Sequence, residues 1–548
     1  MFIRTLKNRT GKVYHYVLES FFDKKKKRPA HRRVADLTSL PQEVVKTVKD
    51  MLAGKRVERV PDAGKLVSIR SSSLFGPLWI ASIFWFKLRL NQLPFFSRGE
   101  FMNLSAMVLG RVVDPVKCRS ELITAEWLRR SATDMILGRS GNKWSRDPFY
   151  PLLTKLSEHW DELERHLWEG RGSRPKLYLY DITSTYFEGR GGSFGKFSYS
   201  RDEKKSNPQV VVALVADESG VPVALRILPG NTKDSSTVID MAEELKQTFG
   251  IEKAVLTMDR GMRTEANIAY LKKNGLDYIM ALKHKEAREH LKEQNGKLEW
   301  NLFDERSIAE WFEDGKRYVI CRNPDAAKRD RYTRERIIQR GEERLEKLRR
   351  SANSGRIKDQ TKITARAAKI FFQTKTERYF GWKAGKGTLD FWRKNELLDM
   401  EENYEGCYVI ETTLSESDAD KIEIDSAYRN QREIEEVFKS CKDELHLRPN
   451  FHIRDENIAG HIRLTFLAHM VKKRLELALQ KSGINEKGST FLNRFDGIML
   501  NEVAVAGRTV HVVTEFNEKE KKDLSKIGIT MPSGIICGSL RKQLDFVK

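Results

Sequence analysis

Three carboxylates stand where phosphoryl-transfer chemistry would need them. Asp181 closes the segment KLYLYD and is followed by the small polar run ITST, while Asp259 closes AVLTMD and leads into Arg260 and Gly261. Both segments read as strands, and as parallel neighbours in one sheet they would bring the two carboxylates close together. Like charges at that spacing repel unless a cation joins them, and hard divalent ions such as magnesium take oxygen ligands. Glu435 lies in DSAYRNQREIEEVFKSCKDELHL, expected as a helix with Ser426 as its N-cap. At about 100° per residue, Tyr428, Gln431, Lys439 and Lys442 fall within about 40° of Glu435. Ile434, Val437, Cys441 and Leu445 form a separate apolar stripe that would dock the helix on the sheet. Taken singly, each aspartate is an ordinary turn former and Glu435 is half of an i,i+4 pair with Lys439. Together the three read as a set of metal ligands. His446, His452, His461 and His469 share no face at ligand spacing and read as structural.

The elements that must position these residues follow from the periodicity. After KLYLYD come the strands QVVVALVA from Gln209 and VPVALRIL from Val221, joined by a turn at Asp217 to Gly220. A helix over SSTVIDMAEELKQTF, the strand ending at Asp259, a helix through Asn274 and the strand YIMAL from Tyr278 complete the order β-β-β-α-β-α-β. This pattern predicts an α/β fold, a ribonuclease H-like core whose mixed five-stranded sheet carries packed helices. Residues 173–285 form the first part of that core and 404–480 the second. Residues 286–403 read as an insertion domain, with strands at Arg317 to Cys321 and Gly387 to Trp392 and a charged helix over AAKRDRYTRERIIQRGEERLEKLRR. Its Lys328, Arg329, Arg331, Arg334, Arg336 and Arg340 suit either a DNA-facing stripe or a solvated arm. Residues 1–172 read as mainly helical after a short β-like start and as a DNA-end-binding region. There, Lys24 to Lys27 with Arg28, Arg32 and Arg33 suit a phosphate backbone or a solvated loop equally. Residues 481–548 carry no usable motif, and dimerisation is the role assigned to them.

A chain of 548 residues is long enough for several domains with substantial cores. Lysine and arginine outnumber the acids by 99 to 77, a net charge of +22 that points to a polyanionic partner. The five cysteines, Cys118, Cys321, Cys407, Cys441 and Cys537, form no CxxC pair, which argues against a cysteine zinc module or a disulfide framework. The start, MFIRTLKNRTGKVYHYV, lacks the apolar core of a secretory signal, and the apolar stretch Leu74 to Phe86 is too short to span a bilayer and reads as a buried helix. A cytoplasmic protein without a membrane segment is expected.

At the carboxylates the sequence resembles bacterial insertion-sequence transposases of the DDE type, in the group with the signature Tyr-x2-Arg-x3-Glu-x6-Lys. Here the signature reads Tyr428-x2-Gln431-x3-Glu435-x6-Lys442. The segments LYLYDITSTYFEG, PQVVVALVADESGVPVALRILPGNTKDSST, AVLTMDRGM and LRPNFHIRDENIAGHIRLTFLAHM look like that family's catalytic blocks, in the same order, so the resemblance covers most of residues 174–285 and 404–475. It implies that Asp181, Asp259 and Glu435 hold two magnesium ions, for which manganese would substitute, about 4 Å apart. It also implies a bacterial, nucleoid-associated protein that, as a homodimer, cuts the terminal inverted repeats of an element and joins their 3′ ends to target DNA. Tyr428 would position a distorted terminal nucleotide, and Lys442, Lys439 and Arg260 would contact phosphates. Gln431 departs from the signature arginine, keeping a hydrogen-bond donor for phosphate but no charge; Arg432, or Arg429 on another face, would compensate. Two alternatives stay open on the residues: a ribonuclease H-like nuclease without strand transfer, and a catalytically silent DNA-binding descendant of a transposase.

Overall fold

In a computed structural model, which describes all residues except 10, 24–26, 54–66, 140–143, 199–205, 295–296, 304, 506–507, 537–539 and 545–548, the β-branched runs pair into a nine-stranded mixed sheet. The chain divides into two compact units, one of Leu88–Glu121 and Arg146–Arg474, the other of Met1–Lys87, Leu122–Ser145 and Leu475–Lys548. The large sheet belongs to the first. Its strands are β1 (Leu177–Tyr186), β2 (Gln209–Asp217), β3 (Pro222–Pro229), β4 (Val255–Met258), β5 (Asp277–Ala281), β6 (Asn301–Phe303), β7 (Arg306–Glu313), β8 (Lys316–Arg322) and, after a hairpin of β9 (Phe380–Gly385) and β10 (Thr388–Arg393), β11 (Cys407–Thr412). They lie in the order β6-β7-β8-β11-β5-β4-β1-β2-β3.

Strand polarity follows from the connections. The meander β1, β2, β3 is antiparallel; residues 187–208 connect β1 to β2, and a short turn joins β2 to β3. β1, β4 and β5 are mutually parallel, because the helices α1 (Val238–Phe249) and α2 (Glu265–Lys273) carry the chain back between them. β2 is an unbroken apolar run, QVVVALVA, and all nine of its residues are buried, as a strand covered on both faces requires. One face of the sheet packs Tyr178, Tyr180, Val211, Ala213 and Met258 against Val238, Met241 and Leu245 of α1 and Ile268 and Leu271 of α2.

The sheet exceeds the five strands expected from the sequence. β11 pairs antiparallel with β5 and with β8, and β7 and β6 continue outward. Strands β6, β7 and β8, read in the sequence as part of an insertion, therefore extend the main sheet. The remainder of that segment forms a small core of its own, in which α3 (Pro324–Asn353) and α4 (Gln360–Thr374) pack Ile338, Leu345, Ile363 and Phe371 against Phe380 and Leu389 of the hairpin. Asn323 starts α3 by accepting from the backbone of Asp325 and Ala326, with Pro324 at the first helical position. Three of the six cations expected along this helix face carboxylates: Arg334 Nε lies 2.8 Å and Arg331 Nε 3.3 Å from Glu405, and Lys328 Nζ lies 3.5 Å from Asp325.

In the second unit, the N-terminal part is richer in strands than the sequence suggested. Phe2–Lys7, Val13–Asp23 and Arg28–Asp36 form an antiparallel sheet. Arg32 pairs with Glu19 at 2.6 Å and Arg33 with Asp36 at 3.2 Å. Lys24 to Lys26 of the basic run, and Cys537, lie outside the described residues. Val67–Leu74 pairs with Met499–Val505, followed by Arg508–Val513 and Gly534–Ile536, so the C-terminal region completes a sheet begun hundreds of residues earlier. The helix Gly76–Phe86 is buried along its whole length. Its first residue must be glycine, since a Cβ there would stand 2.6 Å from the carbonyl oxygen of Phe495. Among the described residues no helix is long and apolar enough to cross a membrane.

The long helix α7 (Asp455–Lys481) carries a buried imidazole, His469, in the first unit. Burial, with Lys472 and Lys473 nearby and the Gly220 carbonyl opposing them, pushes its pKa from 6.5 down to about 3. The unfolded chain therefore binds the extra proton between those values while the folded chain does not, so stability falls as pH drops through that window. Between pH 6.5 and 5 the expected loss from this group alone is about 2 kcal/mol. Urea unfolding at both pH values checks this, and His469→Leu should flatten the difference.

Candidate active site

The parallel pairing of β1 and β4 ends at Tyr180 and Met258, because β4 is only four residues long. The next residue on each strand is an aspartate. Asp259 leaves the sheet and precedes a short 3₁₀ turn, Arg260–Met262. Asp181 does not end its strand, as the sequence suggested; β1 continues to Tyr186 and pairs Asp181 with Leu214 of β2. It is terminal only towards β4, and its Oδ1 accepts from the Ile182 amide at 2.8 Å. The turn after Asp259 is fixed by Arg263, which donates to Glu411 on β11 at 2.6 Å; Tyr278 donates to the other carboxylate oxygen at 2.6 Å. Burial alone would raise the Glu411 pKa, but Tyr278 and Arg263 hold it below its usual range. An ion pair this deep anchors the loop at one orientation.

Glu435 is carried by α6 (Gln431–Lys439), which follows α5 (Lys421–Arg429) after a break at Asn430. Ser426, expected as the N-cap, lies inside α5. Asp420 is the cap, because its side chain accepts from the Glu423 amide at 2.8 Å and Glu423 accepts from the Asp420 amide at 2.9 Å. After Lys439 the chain makes one π turn, Ser440–Glu444. Ile434, Val437, Cys441 and Leu445 are all buried, so the apolar stripe docks the helix. α7 also holds it: Lys473 pairs with Glu433 at 2.7 Å, and Lys472 donates to Ser440 Oγ at 3.2 Å and contacts Glu444.

The amide of Gln431 joins these elements. Its Nε2 donates to the carbonyl oxygens of Thr257 at 3.1 Å and Tyr180 at 3.3 Å, each within two residues of one of the two aspartates. In the sequence this amide was assigned to a DNA phosphate; here it bridges the two strand ends.

Asp181, Asp259 and Glu435 line one cleft of about 550 Å³, together with Tyr428, Gln431, Lys439, Lys442 and Arg260. Arg432 does not line it; it faces a neighbouring cleft bordered by Arg306, Lys328 and Arg429, which shares Tyr428, Gln431 and Glu435. Burial, with Asp259 and Glu435 nearby, pushes the Tyr428 hydroxyl up to about 12, so it stays a neutral donor. Lys439 is largely exposed and lies 3.7 Å from Glu436. The sequence reading missed Asp234, Asp443 and Arg448, which also line the cleft; Arg448 pairs with Asp443 at 2.7 Å. Asp234 opens the 3₁₀ turn before α1, and a Cβ on Gly261 would lie 3.7 Å from its Oδ2 and 3.8 Å from Asp259 Oδ2. An aspartate in the loop before α1 was the available signal. All these donors are oxygens, suited to a hard cation. Among the described residues the triad is not a set whose donor atoms all lie within 4.8 Å of one another, so a single ion could not touch all three without side-chain movement.

A family described as "Transposase DDE domain" matches residues 172–471. No curated protein matches the chain. Among solved structures, one similar to it is a cryo-EM structure of a piggyBac transposase synaptic complex with hairpin DNA, at a TM-score of 0.39 and 10% identity over 78% of this chain and 82% of that one.

Two substitutions probe the scaffold. Gln431→Leu deprives two carbonyls of their donor and is expected to cost about 1–2 kcal/mol in denaturant unfolding. Arg263→Met leaves Glu411 buried with Lys316 as its remaining cation at 3.7 Å, and about 3 kcal/mol should be lost.

Proposed function

We infer that this chain, which belongs to the transposase DDE domain family, is a DNA transposase of the bacterial insertion-sequence type that cuts terminal inverted repeats and joins the freed 3′ ends to target DNA. The carrying observation is that Asp181, Asp259 and Glu435, from two strands and a helix, line one cleft together with Arg260, Lys439 and Lys442. Members of this family generally use divalent metal ions, and the all-oxygen donor set of the cleft fits magnesium, with manganese as a substitute. Two such ions, when bound, would neutralise charge at the phosphate and favour in-line displacement.

The chain's own residues supply the rest. Asp181 and Asp259 present carboxylates from a rigid strand edge, and Glu435 adds a third from a helix held on two sides. Tyr428, a neutral donor beside Asp259 and Glu435, would hydrogen-bond the distorted nucleotide at the cut end. Lys442, Lys439 and Arg260 would offset the charge of the DNA backbone along the cleft. Gln431 acts through the strands, as a positioning residue, and Arg432 would meet DNA from the neighbouring cleft. The order β3-β2-β1-β4-β5, with β2 antiparallel to β1, supports reading this core as ribonuclease H-like. Residues 324–403 would then be the family's insertion, and a dimer would pair the two ends.

Magnesium-dependent cleavage of DNA bearing the repeats that flank the gene tests the reading. Asp181→Ala, Asp259→Ala and Glu435→Ala should each lower cleavage at least about 100-fold while leaving DNA binding within a few-fold. Cleavage that persists in any of the three would overturn the site assignment. Wild-type binding without cutting would favour a silent DNA-binding protein, and cutting without end joining a simple nuclease.

A further inference from the structure

A second cluster of metal-type ligands lies apart from the carboxylate cleft, within the same unit. The segment leaving the π turn is tied to the far end of β1, where the Glu188 amide donates to the Asn450 carbonyl at 3.1 Å and the Asn450 amide to the Tyr186 carbonyl at 3.3 Å. Two residues later His452 projects a ring whose Nε2 lies 3.5 Å from Glu121 Oε1, and their separation is close to the edge, about 3.4 Å, of a tetrahedron with metal bonds near 2.05 Å. His461, on the second turn of α7, completes a set in which one donor atom from each of Glu121, His452 and His461 lies within 4.8 Å of the others. Cysteine spacing gave no sign of a zinc site, and the four histidines of this region share no face in sequence. Convergence arises only because a loop and a helix bring His452 and His461 to a glutamate more than 300 residues earlier.

The hydrogen bonding of the cluster is incomplete. His461 is 4% exposed and Glu121 6% exposed, yet neither ring nitrogen of His461 makes a well-formed hydrogen bond and Oε1 of Glu121 has only the long 3.5 Å contact with His452 Nε2. Leaving such groups unsatisfied is costly, and native structures seldom do so without a bound ion or water. The carbonyl of His446 faces the His461 ring; a proton held towards it would leave the other ring nitrogen's lone pair free for a ligand, as in most metal-bound histidines. A metal-free alternative would rest first on His452 beside the Glu121 carboxylate and then on Arg111, whose charge acts on Glu121 while its guanidinium donates to Thr465 at 2.8 Å and to the Arg119 carbonyl at 3.3 Å. That arrangement balances the carboxylate but gives the His461 lone pair no partner.

We propose that Glu121, His452 and His461 form a zinc-binding site that fixes the segment between the cleft and α7. Two imidazoles and one carboxylate favour zinc over magnesium, because nitrogen donors suit the softer ion. The site is structural in placement and does not depend on the activity assigned to the cleft. It ties the segment that carries Arg448 to two distant elements, so loading it should rigidify one wall of the cleft.

The full chain, purified without a histidine tag and stripped with EDTA, is incubated with zinc chloride, desalted and measured by mass spectrometry for metal. About one zinc per chain should be retained, in wild type and equally in Asp181→Asn, and less than about a tenth as much in His452→Phe or His461→Ala. Because a buried substitution at 461 can impair folding, cobalt(II) titration of the wild type provides a second reading. Visible bands of tetrahedral intensity, displaced by zinc and not by magnesium, are expected. No retained zinc in the wild type, retention unchanged in His452→Phe, or featureless cobalt spectra would each overturn the proposal and leave the Glu121–His452 pair, with the Arg111 charge nearby, as the account of the cluster.

Discussion

One side-chain amide joins the three elements that carry the carboxylates of the candidate site. Gln431 begins the helix of Glu435 and donates to backbone oxygens of both strands that lead into aspartates. Three negative groups gathered in one cleft repel one another, so their placement must be maintained by bonds that do not involve the carboxylates themselves. The amide meets this need without adding charge. The glutamine is turned inward, towards the two strands. Around it two ion pairs hold one carboxylate carrier each, the buried Arg263–Glu411 for the turn after Asp259 and the partly exposed Lys473–Glu433 for the glutamate helix.

The parts of this arrangement with a local signal were readable in the sequence. Strands β1 to β5 announce themselves by apolar and β-branched runs between turn residues, and both aspartates stand at the boundary of such runs. The apolar stripe of α6 follows helical spacing and is buried. What failed was decided by competition between local options or by distant partners. Ser426 and Asp420 are both plausible caps, and only the reciprocal bond with Glu423 selects Asp420. β6 to β8 looked like part of an inserted domain because nothing in their own residues reveals that β11, some 90 residues on, will pair with β8. The histidines were set aside on spacing along one chain segment, whereas Glu121 arrives from elsewhere.

Net charge was also a coarser guide than it first seemed. A surplus of cations suggests nucleic acid, but not every cation serves that purpose. Arg331 and Arg334 sit on the helix that looked most like a DNA-facing stripe, and both bind Glu405. Arg306 and Arg429 meet at the fully buried Asp425, at 3.0 Å each, beneath the neighbouring cleft. The cations that line the carboxylate cleft, Arg260, Lys439, Lys442 and Arg448, are few and come from separate elements. Their position, more than the surplus, marks where a polyanion would lie.

The sheet shared by Val67–Leu74 and Met499–Val505 imposes an order in time as well as in space. At a synthesis rate of roughly 5–20 residues per second, the first strand leaves the ribosome roughly 20–90 s before its partner exists. The intervening unit can complete its own sheet within that interval, since all nine of its strands lie between the two. The waiting strand, VSIRSSSL, is well suited to delay: an arginine and four serines give an unpaired edge little tendency to recruit another nascent chain.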